Sequence, residues 1–157
     1  SYFNEQGFNE QQFDAVNSVA HDSLPDFAKR LAAVAEFTKM PEAASLAAAN
    51  KRIANILKKS ASEAAEYVSE DLLHEQAEKD LWQAIKQLEQ SNTSKLQARD
   101  YVAVLQALAS LRAPVDSFFD SVMVNADDLH VRANRLALLR KIAGQLNAVG
   151  DISLLAN

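Results

Sequence analysis

Apolar residues recur along this chain at the three-to-four-residue spacing that gathers side chains on one side of a helix. Phe13, Val16 and Val19 predict a first helix over 9–20. Phe27, Leu31, Val34 and Phe37 continue the period after Pro25, a residue suited to a first helical turn. Pro41 opens a third helix with Leu46, Ala49, Ile53, Ile56 and Leu57 on one face, ending near 60–62. Leu72, Leu73, Ala77, Leu81, Ile85 and Leu88 mark a fourth, closed by the polar tetrad 91–94. Tyr101, Val104, Leu105, Leu108 and Leu111 form a fifth, stopped by Pro114, which starts a short sixth bearing Val115, Phe118, Phe119 and Val122. Asn125 to Asp128 read as a turn and cap before a long last helix reaching about 148. No strand alternation, fixed-period repeat or low-complexity linker interrupts this pattern. The expected fold is all-α, an antiparallel bundle of about six to seven helices with short connections, forming one domain over 1–157.

Composition sharpens this. With 48% hydrophobic residues in 157, one core can form without metals or disulfides, and only three Gly and three Pro punctuate the chain. The absence of cysteine excludes a disulfide framework and a thiolate nucleophile. No apolar run approaches the ~18 to 20 residues of a membrane span, and the first residues lack the basic flank and apolar stretch of a signal peptide. A soluble, cytoplasmic protein with no membrane partner is expected. The chain also opens without Met on polar sequence, as a piece of a longer protein would.

The net charge of −5 is unevenly spread. Between Glu42 and Glu63 there is no acid but Lys51, Arg52, Lys58 and Lys59; from Leu129 to Gly150 there is again none, against Arg132, Arg135, Arg140 and Lys141. On a helical wheel Lys51, Arg52, Asn55, Lys58 and Lys59 share one face, opposite Leu46, Ala49, Ile53, Ile56 and Leu57. Four cations and an amide there suit a phosphate backbone and a base edge, although an ordinary solvated helix presents the same face. The last helix places Arg132 and Arg135 on its apolar arc, where arginine needs a carboxylate. Asp116 and Asp120, or Asp127 and Asp128, are the expected partners, with direct contact to RNA as the alternative role for these arginines. Arg140 and Lys141 project outward and are expected to be free for a polyanion.

Signals for catalysis are thin. His21-Asp22, Asp71-x-x-His74 and His74-Glu75 are each fragments of metal motifs whose remaining ligands are absent, so no metal site and no catalytic residue are expected. Three dispersed glycines make no phosphate loop. Phe118 and Phe119, among apolar neighbours, read as core.

Two long strings carry more information: FAKRLAAVAEFTKMPEAASLAAANKRIANILKK from Phe27, and LRAPVDSFFDSVMVNADDLHVRANRLALLRKIA from Leu111. Both resemble the C-terminal region of bacterial glycyl-tRNA synthetase beta subunits, as does the terminal Asp151-Ile-Ser-Leu-Leu; the stretch 63–95 is less diagnostic. The resemblance implies a helical anticodon-binding domain related to that of arginyl-tRNA synthetases. It further implies a parent of two alpha and two beta subunits that joins glycine to its tRNA with ATP and magnesium, the chemistry lying in the alpha subunit and no cofactor in this domain. Partners are then tRNA for glycine, the rest of the beta subunit and the alpha subunit. Asn50, Lys51, Arg52, Asn55 and Lys58 fall in one motif and Arg132, Asn134 and Arg135 in the other, which marks them as candidate RNA contacts; Lys59 joins on geometry. The alternative is a helical module that stabilises the synthetase assembly.

Overall fold

Seven α-helices follow one another in a computed structural model that describes residues 6–19 and 23–157. They are α1 (Glu10–Asn17), α2 (Leu24–Phe37), α3 (Ala43–Ser60), α4 (Gln76–Gln97), α5 (Tyr101–Ala107), α6 (Ala109–Ser121) and α7 (Leu129–Leu146), with short 3-10 turns at Ala61–Glu63, Glu70–Leu72 and Ile152–Leu155. No strand occurs among the described residues.

Five of the seven helices start where a side chain satisfies an orphan amide. Asn9 and Gln12 form a reciprocal capping box on α1, Ser23 caps α2, Asp100 accepts from the Ala103 amide at α5, and Asp128 accepts from the His130 and Val131 amides at α7. Those two amides hold the Asp128 carboxyl below its ordinary pKa. Glu75 and Glu78 form the box of α4.

Two punctuation marks act differently from their sequence reading. The tetrad 91–94 does not close α4, which runs on to Gln97. Its side chains find partners without ending the helix: Ser91 Oγ donates to the Leu88 carbonyl, Thr93 Oγ1 to that of Glu89, and buried Asn92 donates across to the Val104 carbonyl of α5. Pro114 lies within α6, and the break falls six residues earlier, at Leu108. The link from α4 to α5 is a reversed turn in which the Asp100 amide bonds Lys95 and the Arg99 amide bonds Leu96. Arg99 occupies the left-handed position, φ 56°, that glycine usually takes. Its side chain offsets the strain by reaching Asp26 at 2.7 Å.

One apolar cluster joins all seven helices, from Ala15 and Val16 through Phe37, Leu81, Leu111 and Phe118 to Leu139 and Ile142. The continuous stretch Tyr101–Ser121 is, contrary to expectation, long and apolar enough by length and composition to cross a membrane. Here its apolar side, including Val104, Leu108, Leu111, Val115 and Phe118, is buried against the other helices. Residues 134–139 of α7 are buried on every side, because the strap between α3 and α4 crosses the face that α3 and α4 leave uncovered. The Ala65 amide bonds the Ala133 carbonyl at 3.0 Å, and Asn134 bonds both the amide and the carbonyl of Ser69.

Two buried polar clusters tie elements distant in sequence. Asp26, buried in α2, accepts from Arg30 (2.8 Å), Arg99 (2.7 Å) and the Tyr101 hydroxyl (2.5 Å), while Arg30 also donates to the carbonyls of Ala148 and Val149. Burial alone raises its pKa, but the hydrogen bonds from Tyr101 and Arg30 outweigh burial and lower it to about 2. Glu78 of α4 and Arg135 of α7 form the second, described with the site.

Candidate functional site

The basic face of α3 stands as the sequence pattern places it. Lys51, Arg52, Asn55, Lys58 and Lys59 are exposed, and Ile53 on the opposite side is buried. Lys58 and Lys59 lie in the last turn, where cations also suit the negative end of the helix dipole. Ion pairing distinguishes this face from most of the other cations, although Lys29, Lys79 and Lys95 likewise have no carboxylate within 4.0 Å among the described residues. Arg30, Lys39, Lys86, Arg99, Arg112, Arg132, Arg135 and Lys141 each lie within 4.0 Å of a carboxylate. Among the described residues, no such partner stands beside Lys51, Arg52, Lys58 or Lys59, and the Asn55 side chain makes no hydrogen bond. On an acidic molecule, four cations without a carboxylate within 4.0 Å, in two pairs about two turns apart, create a local positive field suited to a polyanion.

Asn50 does not belong to this face. Its side chain is 1% exposed and bonds Asn147 at 2.7 Å, joining α3 to the end of α7, so it is not presented at the surface with the other candidates. The wheel could have shown this, since Asn50 lies one position before Lys51 and turns 100° toward the core.

The second motif is also structural in two of its three members. Arg135 does need a carboxylate, but the partner is Glu78, not Asp116, Asp120, Asp127 or Asp128. Its Nε and Nη2 donate to the two Glu78 oxygens at 3.2 and 3.1 Å, and its Nη1 donates to the Met123 carbonyl at 2.6 Å. Both side chains are almost fully buried. Asn134, equally buried, is engaged by Ser69. Arg132 donates from Nε to the Ala126 carbonyl at 2.9 Å and stands 3.9 Å from Glu63. Asp116 faces Arg112 at 3.8 Å and Ser45, Asp120 is exposed, and Asp128 serves as the cap of α7. Arg140 and Lys141 are not the free pair expected: Arg140 donates to the Ala65 carbonyl of the strap, and Lys141 lies 3.4 Å from Glu89 of α4.

Sequence reasoning missed the surroundings of Arg52. Its guanidinium lies over the Phe119 ring, 4.2 Å from the centroid, so Phe119 is a half-buried platform and not core. Arg52 lines a depression shared with Ser45, Phe119, Asp116 and Asp120, and two more beside the basic face. One, about 380 Å³, lies along Lys51, Asn55, Ile56 and Lys59 beside the C-terminal residues Ala156 and Asn157. The other, about 400 Å³, lies between α3 and residues 122–125. His21 and Asp22 fall outside the described residues; among those described, no group of three His, Asp or Glu side chains converges as a metal site would require.

Comparison with known proteins gives this geometry a family. The profile described as "DALR anticodon binding domain" matches residues 46–152, from α3 to the last 3-10 turn. The glycine–tRNA ligase beta subunit of Polaromonas naphthalenivorans is 50% identical over 149 residues, covering 95% of this chain and 21% of that protein. That of Methylobacillus flagellatus is 50% identical over 152 residues, 97% of this chain and 22% of its own length. The chain thus spans about a fifth of the length of the curated relatives it matches.

Proposed function

The chain belongs to the DALR anticodon binding domain family, and from that premise we propose that it is the tRNA-binding domain of a glycine–tRNA ligase beta subunit. In this reading the basic face of α3 grips the anticodon region of glycine tRNA in the cytoplasm. ATP, magnesium and the joining of glycine to tRNA belong to other parts of an assembly of two alpha and two beta subunits, to which this domain contributes binding and no catalytic group.

One observation carries the reading: Lys51, Arg52, Lys58 and Lys59 are exposed together and lack carboxylate partners among the described residues, whereas the cations of α7 near them are engaged. A tRNA backbone supplies the missing counter-charge, and Asn55, on the same face, offers an amide to a base. Asn50, Asn134 and Arg135 drop out as contacts, so the interface centres on α3. Arg140 and Lys141 are engaged by the strap and by α4 and serve the bundle.

The test is charge reversal of Lys51, Arg52, Lys58 and Lys59 together in the full-length synthetase. Binding of glycine tRNA at physiological salt should be lost while the far-ultraviolet circular dichroism is unchanged. Retained affinity would place the interface elsewhere.

A further inference from the structure

The depression between α3 and residues 122–125 has no role in the ridge described above, although it opens beside it. Its walls are Arg52, Ile56 and Lys59 on α3, Val122 to Asn125 on the connecting loop, and Arg132 with Leu136 on α7. At about 400 Å³ it falls within the ~300–1,000 Å³ of small-molecule sites. Its chemistry is mixed in a particular way: apolar Ile56 and Leu136 lie beside three cations and one amide.

The loop wall is fixed, not loose. Arg135 donates to the Met123 carbonyl at 2.6 Å, Arg132 donates to the Ala126 carbonyl at 2.9 Å, and the Val122 amide bonds the Phe118 carbonyl at 2.9 Å. That arrangement leaves the Met123 side chain 71% exposed at the wall of the depression, and Asn125 exposed with no side-chain hydrogen bond among the described residues. Arg52 supplies the remaining feature. Phe119, which is not part of the depression, lies 4.2 Å from the Arg52 guanidinium carbon and restrains that side chain, which also lines the depression.

We propose that this depression takes one unstacked base of a single-stranded RNA loop, stacked on the Arg52 guanidinium and covered by Met123, with Asn125 reading its edge. The proposal rests on the ridge reading above, because the phosphates adjoining that base would lie on Lys59 and its neighbours. Single-stranded loops are the form in which RNA exposes base faces and edges, and arginine planes are among the surfaces on which such bases stack. Asn carries both a donor and an acceptor and is the group able to discriminate one edge from another. The arginines of α7 thereby gain a function through the loop: Arg135 and Arg132 are positioning residues that hold the wall of the base site.

The experiment uses the 157-residue chain and an RNA hairpin with the sequence of the glycine tRNA anticodon arm, with an abasic nucleotide placed at each loop position in turn. For the unsubstituted chain, one abasic position should weaken binding roughly tenfold, the others far less. Arg52→Lys keeps the charge and loses the plane; it should weaken binding of the intact hairpin by a similar factor and erase the abasic effect. Asn125→Ala, at an exposed position with nothing to unfold, should reduce the discrimination between bases at that same loop position. Equal binding of every abasic hairpin, or an Arg52→Lys chain indistinguishable from the original, would overturn the base site. If in that case charge reversal at Lys51 and Lys59 still abolishes binding, the ridge reading stands alone; if that too has no effect, both fall.

Discussion

Replacing Glu78 by alanine removes a buried carboxylate that does three things at once. It accepts two hydrogen bonds from Arg135, it balances that guanidinium's charge, and its Oε1 accepts the Glu75 amide at 3.0 Å in the α4 capping box. The Glu78 side chain has no exposure and that of Arg135 only 9%, so solvent cannot take over. Breaking a buried ion pair from one side costs about 3 to 5 kcal/mol, chiefly because the remaining charge stays buried, and losing the cap acceptor adds about 1. A total of about 4 to 6 kcal/mol compares with the ~5 to 15 kcal/mol stability of typical domains, so the alanine chain should be close to unfolding at 25 °C. Glu78→Gln keeps one oxygen able to accept the Glu75 amide, loses the charge and sets an NH2 donor where Arg135 had its second acceptor, and should cost about 2 to 3 kcal/mol. The informative variant is double, Glu78→Leu with Arg135→Met, which removes the charges together and should recover most of the alanine loss. Urea denaturation followed by circular dichroism measures all of these. With a slope of about 2 kcal/mol/M, a 4 kcal/mol loss moves the midpoint by about 2 M. A Glu78→Ala chain within about 1 kcal/mol of the original, or a double variant as unstable as the sum of its single changes, would refute the assignment of this pair as a coupled structural bridge.

Acid should act on the bundle through Asp26. Its carboxyl is depressed to about 2 in the fold, so its contribution is complete above the ordinary value of 3.8 and is lost as pH falls through about 2; Asp26→Asn should be less stable by roughly 2 kcal/mol at pH 7 and show a flatter stability profile between pH 4 and 2 in acid titrations of the urea midpoint. Asn50→Ala leaves Asn147 without its 2.7 Å partner and should lose about 1 to 3 kcal/mol in the same assay, with RNA affinity at a temperature where it is folded unchanged; a selective loss of affinity would return Asn50 to the interface. Gly150→Ala sets a new Cβ 3.2 Å from the Ala15 carbonyl oxygen, a backbone atom that cannot swing aside, and should destabilise by about 1 to 3 kcal/mol; a neutral thermal midpoint would show that the C-terminal segment yields.

The helices were legible because apolar periodicity reports which face is buried. Leu31, Val34 and Phe37, or Ile53 and Leu46, bury as their spacing predicts. Punctuation was less legible, since it depends on partners. Ser91 to Ser94 look like a stop until Asn92 is seen to have the Val104 carbonyl across the helix pair, and Pro114 looks like a boundary although the bend falls at Leu108. The basic face was readable on a wheel, because exposure follows from the same geometry as burial. What periodicity could not supply was pairing at a distance. That Arg135 needs a carboxylate follows from its position on an apolar arc; that the carboxylate is Glu78, 57 residues away and inside a capping box, follows only from how α4 packs on α7. Arg140 and Lys141 fail for the same reason, because the strap at Ala65 and Glu89 of α4 meet them from elsewhere in the chain.

The central claim is that the unpaired cations of α3 contact RNA phosphates, and the salt dependence of binding reads that contact directly. With glycine tRNA, the slope of log affinity against log salt should fall in magnitude by about 0.7 to 0.9 for each ridge cation removed. Neutralising Lys51 and Lys59 as Lys51→Gln and Lys59→Gln should therefore flatten it by about 1.4 to 1.8, and neutralising Lys141, which faces Glu89, should leave it unchanged. A slope that does not move with Lys51 and Lys59, or that moves with Lys141 instead, would contradict the account.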